Sequence, residues 1–170
     1  MRMFIELPYD AFSMDDVATA AGISKGLIYH YFPSKRDFYV AVLREAAADI
    51  MELTTPDPSL PPGEQLRAGI TAFLDYIRQS PRAYQAVVRG GIGSDPEVAE
   101  VAEEVRQVLM RRVIEGLDIG EPPAQVRMAI RGWIGFAEAA SLEWFESDPM
   151  VEEDFITYLI NILQAALRAP

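Results

Sequence analysis

Cysteine is absent from the 170 residues, and histidine occurs once, as His30. Without thiols there is no disulfide framework, no thiolate metal site and no cysteine nucleophile. One imidazole cannot build a multi-histidine zinc site, and a Ser-His-Asp triad would have to recruit His30 itself. No metal or cofactor is therefore expected. The chain also lacks any run of about 18 uncharged apolar residues, the minimum for a membrane-spanning helix. Its opening, MRMFIELPYD, lacks the apolar stretch and small-residue cleavage site of a secretory signal. A cytoplasmic protein with no membrane partner is expected. Alternation of apolar and polar residues at period two is missing too, so no strand is expected.

What is present is acidic and apolar. Half the residues are apolar, enough for a substantial core, and the net charge is −11. The charge is unevenly placed. Residues 1–36 carry four basic and four acidic side chains, whereas 37–170 carry eleven basic and twenty-two acidic ones. A polyanion would be repelled by the second part and tolerated by the first.

Apolar residues recur at helical spacing along most of the chain. Leu66, Ile70, Phe73, Leu74 and Ile77 form one stripe, and Val98, Val101, Ala102, Val105, Val108 and Leu109 form another. Glu97, Glu100, Glu103, Glu104 and Arg111 lie opposite the second stripe, as on a solvated face. Ser34 to Asp37 resembles a capping box, and Ser80-Pro81 and Asp95-Pro96 each put a capping side chain before a proline. The segment TTPDPSLPPG (54–63) is too rich in proline for helix and is expected to be a loop. A second loop is expected at GGIGSD (90–95), which no strand precedes, so it is not read as a phosphate cradle. Segments near 126–145 and 152–168 are apolar in most directions, as helices buried on several sides are. They form either the centre of a monomer or a four-helix interface with a second copy.

Residues 13–31 have the pattern of a helix, a short turn and a second helix. Ser13 can cap the first helix, Asp15 and Asp16 suit its N-terminal end, and Val17, Ala18 and Ala21 form its buried side. Gly22 stands where the helix must end in a left-handed conformation. Ile23 can plug the space between the helices, and Ser24 can cap the second. If Ile28 and Phe32 face the core, then Lys25, Gly26, Leu27, Tyr29, His30 and Tyr31 point outward or to the flanks. Lysine can meet phosphate or guanine, glycine permits close approach, leucine can touch a thymine methyl, and Tyr and His tips can reach phosphates. Taken alone, Tyr29 and Tyr31 could equally be packing residues with exposed hydroxyls.

Over Phe12–Leu43 (FSMDDVATAAGISKGLIYHYFPSKRDFYVAVL) the sequence resembles the TetR family of repressors. The likeness lies in the capping serine, the V-A-x-x-A-G-I-S run, the K-G-x-I-Y-x-Y-F-x-S-K run and the long helix that follows. It implies an all-α fold: a three-helix DNA-binding head over 1–45 and a helical ligand-binding and dimerisation body over 46–170. It implies that Lys25, Gly26, Leu27, Tyr29, His30 and Tyr31 line the major groove, with Ser13, Ser24 and Lys35 at helix N-termini near phosphates. The implied partners are a near-palindromic double-stranded operator, a small-molecule effector and a second copy of the chain. The implied function is sequence-specific regulation of transcription, with a repressor released from DNA by its ligand. Three departures stand out. Only MRMFIEL precedes Pro8, so the first helix, with Phe4 in its core position, reads as shortened. Pro8 replaces a helix-ending glycine, and Asp15 lies near the DNA side. Fewer cationic contacts predict weaker, less salt-sensitive binding.

In the body, Phe73, Tyr76, Tyr84, Met110, Trp133 and Phe136 are candidates to line a pocket, although each could be plain core. Arg131 and Glu138 sit in an otherwise apolar segment. They could pair with each other, pair across a dimer, or face the ligand, and in that last case Glu138 would favour a cation. Two rivals remain: a dimeric small-molecule binder with impaired DNA binding, and an enzyme using the many carboxylates. The carboxylates have no convergent partners in the sequence.

Overall fold

The computed structural model describes Leu7 and residues 9–89, 95–118, 120–147 and 150–168. The shortened helix expected ahead of Pro8, with Phe4 and the proline exit, and the glycine loop at 90–94 lie outside them. Among the described residues every regular element is helical, as expected. A 3-10 turn at Tyr9–Ala11 precedes α1 (Met14–Ala21), α2 (Lys25–Tyr31), α3 (Lys35–Leu53), α4 (Pro62–Gln79), α5 (Pro81–Arg89), α6 (Pro96–Leu117), α7 (Ala124–Ser147) and α8 (Glu152–Arg168).

The caps follow local chemistry. Ser13 Oγ accepts from the Asp16 N–H at 3.2 Å while Asp16 Oδ2 accepts from the Ser13 N–H at 2.8 Å, a complete capping box. Ser24 Oγ accepts from the Leu27 N–H, and Ser34 Oγ from the Asp37 N–H. Asp95 Oδ1 accepts from the Glu97 N–H at 3.0 Å ahead of Pro96. The proline-rich segment is loop only as far as Pro61, because α4 begins at Pro62. Proline suits the first helical position, where its missing N–H would find no partner anyway. The carbonyl of Pro61 takes the N–H groups of Glu64 and Gln65, both at 2.9 Å.

Two compact units form, and neither is a single stretch of sequence. The first joins Met1–Ile50 to Gln79–Glu103, the second Met51–Arg78 to Glu104–Pro170. In the first, an aromatic cluster sits at the base of α3. Phe38 meets Phe12 and Phe32 edge-on at 6.1 and 5.3 Å, and Tyr39 meets Tyr9 at 5.2 Å. Edge-to-face pairs of this kind add about 0.5–1.5 kcal/mol each beyond the area they bury. Val17, Ile28, Leu43, Tyr84 and Val98 extend this core. In the second unit, Trp144 stacks on Phe155 at 5.0 Å. The Trp133 indole N–H donates to the Leu159 carbonyl at 2.8 Å, which pins α7 to α8.

Candidate DNA-binding helix and ligand cavity

The turn between α1 and α2 forms as its glycine requires. Gly22 has φ 66° and ψ 29°, a left-handed conformation that glycine adopts without a Cβ clash. Its N–H donates to the Thr19 carbonyl, and that of Ile23 to Ala18. α2 then buries Ile28 alone, at 4% exposure. Lys25, Gly26, Leu27, Tyr29, His30 and Tyr31 are all exposed, and Phe32 is half-buried against Phe38. The question of whether Tyr29 and Tyr31 are packing residues is thereby resolved toward the surface. Among the described residues, three of the eight exposed large apolar side chains, Leu27, Tyr29 and Tyr31, crowd onto this seven-residue helix. Apolar surface gathered in one place marks a contact surface rather than scattered exposure. A Cβ added at Gly26 would come no closer than 4.0 Å to Ser24 Oγ, so nothing within the chain requires glycine there.

The charged residues of this surface are already engaged. Lys25 Nζ lies 2.8 and 2.9 Å from the two Asp15 oxygens, which hold its ammonium above the usual lysine range. Lys35 Nζ lies 4.6 Å from the ring centres of both Tyr9 and Phe12, a double cation–π contact at the start of α3. The Ser13 and Ser24 hydroxyl oxygens cap their own helices.

In the second unit a cavity of about 280 Å³ lies among α4, α6, α7, α8 and the segment joining α3 to α4. Of the expected lining residues it takes in Phe73, Trp133 and Glu138. Tyr76 is core of the second unit and Tyr84 core of the first. Phe136 packs edge-on against Tyr158, and Met110 is half-buried away from the cavity wall. The wall is mostly apolar, with polar side chains from Thr54, Gln65, Arg112, Glu138 and Gln164. Glu138 accepts from Arg106 Nε with both oxygens, at 2.9 and 3.1 Å. Arg112 donates through Nη1 to Thr54 Oγ1 at 2.7 Å and through Nη2 to Thr55 Oγ1 at 3.1 Å. Burial weakens its hold on its proton, opposed by the charge of Glu115, although an arginine stays cationic regardless. Arg112 was not among the expected lining residues, since one arginine on an acidic amphipathic helix reads as solvated. The available signal was its register: it follows Val108 by four residues and adjoins Val113, on the apolar side of α6.

Residues 1–42 match the family model described as bacterial regulatory proteins, tetR family, and residues 62–165 match the tetracyclin repressor-like C-terminal domain. The chain belongs to the TetR family. A TetR-family regulator from Streptomyces coelicolor superposes with a TM-score of 0.86 at 30% identity, over 97% of this chain and 75% of that one. The transcriptional activator FasR of Mycolicibacterium smegmatis is 26% identical over 161 residues, 90% of this chain and 72% of its own. The Bacillus subtilis regulator FadR, solved in complex with stearoyl-CoA, superposes with a TM-score of 0.69 at 19% identity, over 94% of this chain and 89% of that one. As a TetR-family protein the chain is a DNA-binding transcriptional regulator with an N-terminal helix-turn-helix and a helical body. No helix among the described residues is long and apolar enough to cross a membrane.

Proposed function

We propose that this TetR-family regulator is a cytoplasmic homodimeric repressor that leaves its operator when a small molecule fills the cavity of its body. The observation that carries the DNA-binding half is the outer face of α2, where six of its seven residues are solvent-facing around a single buried anchor, Ile28. In this proposal residues 1–45 bind DNA and 46–170 bind ligand and partner. Lys25, Gly26, Leu27, Tyr29, His30 and Tyr31 enter the major groove, with Ser13, Ser24 and Lys35 beside phosphates. Two copies read half-sites about 34–36 Å apart in a near-palindromic operator. The effector and DNA oppose each other reciprocally, since each must weaken the other by the same factor. FadR in complex with stearoyl-CoA supports an effector held within this fold.

Fluorescence anisotropy with labelled DNA from immediately upstream of the protein's own gene, at two salt concentrations, tests the DNA-binding half. Binding that unrelated competitor DNA cannot displace is expected. Weak binding lost at moderate salt would replace this proposal with that of a ligand-binding protein whose DNA head is impaired. The name of FasR favours one variant, in which the bound regulator activates rather than represses. A reporter assay with and without the protein separates the two.

A further inference from the structure

We propose that the cavity selects an apolar molecule bearing a single anionic head group, a carboxylate, which Arg112 binds. This rests on the proposal that the cavity is the effector site, and it names the effector's chemistry.

The charges lining the cavity give the sign. Two charged side chains, Arg112 and Glu138, contribute to the wall. Glu138 is already matched, because both its oxygens accept from Arg106. A cation entering the cavity would have to compete with a guanidinium for that carboxylate. Arg112 is differently placed. Its partners are two neutral hydroxyls, of Thr54 and Thr55, and no carboxylate forms an ion pair with it among the described residues. A guanidinium has five N–H donors, and the two threonines take one each. The hydroxyls fix its plane and leave other donors uncommitted. A half-buried cation beside an apolar wall, already oriented and with Glu115 acting on it only from beyond ion-pair contact, suits a carboxylate, which it can grip with two parallel hydrogen bonds.

The remaining wall sets the body of the ligand. Leu66, Ile70, Leu109, Val113, Leu163 and Leu167 present hydrocarbon from three helices. At about 30 Å³ for each water-sized group, the 280 Å³ holds roughly ten such groups. An eight-carbon chain with its carboxylate fits that size. An apolar body and an anionic head are both required, because neither hydrophobic burial nor a lone arginine contact would select strongly by itself.

The test is a matched series with the full-length protein at pH 8: octanoate, 1-octanol and octylamine, titrated by calorimetry. Octanoate is expected to bind at least about tenfold more tightly than octanol, as a charge-assisted contact implies, with octylamine weakest. In Arg112→Gln the octanoate preference should fall to near unity while octanol binding stays. Arg112→Lys should recover part of it. A Cβ at Gly116 would meet no atom within 4 Å, so Gly116→Leu can fill the cavity and should abolish binding of all three. The wild-type comparison needs no variant, so a poorly folded substitution does not blunt the test. Equal binding of octanol and octanoate, preference for octylamine, or no binding of any of the three overturns the proposal. Tight octanoate binding that leaves operator affinity unchanged would instead overturn the ligand-released repressor and leave the assignment of Arg112 standing.

Discussion

Lys25 is the cation that opens the recognition helix, and Asp15 holds it at 2.8 Å. Both side chains are more than half exposed, so the pair adds little to stability. Its effect falls on DNA. A phosphate approaching Lys25 must displace a carboxylate and then sit beside it, so this lysine contributes less than its charge suggests. Asp15→Asn removes both obstacles. Asp15 occupies the first turn of α1, so the fold loses at most about 0.3–1 kcal/mol of helix-dipole stabilisation. Operator affinity should rise severalfold, and the slope of log affinity against log salt should steepen by up to about one unit as one more cation becomes available to phosphate. Anisotropy titrations at four salt concentrations measure both. An unchanged slope would mean that Lys25 does not touch the DNA backbone.

Among the elements, the N-terminus of α6 is the most heavily tied. Asp95 caps it and also accepts from Arg36 Nε and Nη2 at 2.5 and 2.8 Å, which joins the start of α3 to the start of α6. Glu97 accepts from Arg36 and from Arg44, at 3.0 and 2.9 Å. The Arg36 hydrogen bonds, helped by the N–H groups of Glu97 and Val98, hold the Asp95 carboxyl below its ordinary value of 3.8. A folded pKa below the unfolded one contributes stability at pH above 3.8, and that contribution is lost as pH falls through the folded value. Asp95→Asn keeps a good capping side chain and removes the charge. Its melting temperature should lie below that of the wild type at pH 7, and the gap should close as pH drops below 4. Thermal unfolding at pH 7, 5 and 3.5 checks this. A gap independent of pH would assign the loss to packing rather than charge. This clamp also marks where sequence legibility ends. Ser13, Gly22, Ser24, Ser34 and Asp95 could be read as caps because each acts on residues two to five positions away. The long helices were legible from their periodicity. Arg36 with Asp95, Arg112 with Thr54 and Arg106 with Glu138 join residues tens of positions apart, and no spacing rule connects them. Glu138 takes Arg106 from another helix, 32 positions away, a partner that no spacing in the sequence proposed. The cavity was legible only in part for the same reason: Phe73 and Trp133 announced themselves by size, whereas Arg112 gained its role from the threonines of a distant loop.

For the whole molecule, the open question is what covers α7 and α8. Within one chain Met128 remains 73% exposed and Tyr158 42% exposed. On α7, Met128, Gly132, Gly135 and Ala139 follow one another at steps of four, three and four, along a single helical face that is exposed or half-buried. On α8, Tyr158, Asn161 and Ala165 do the same. Gly132 and Gly135 have no atom within 4 Å of an added Cβ, so their smallness serves no contact inside the chain. Small residues on both helices would let the same face of a second copy approach closely, as a two-fold interface requires. Met128→Glu with Tyr158→Glu would bury two carboxylates in each half of such an interface without touching the core of the monomer. Sedimentation equilibrium should give the wild type twice the chain mass and the double variant 18.9 kDa, with helicity unchanged. The consequence for DNA follows from geometry. A dimer gains the second half-site almost as an intramolecular step, whereas a monomer must bind each half-site alone. The double variant should therefore lose at least about a hundredfold in operator affinity, although every residue of its recognition helix is intact. A variant that stays dimeric would place the interface on another face, and a monomer that binds the full operator as tightly as the wild type would show that the two heads do not act together.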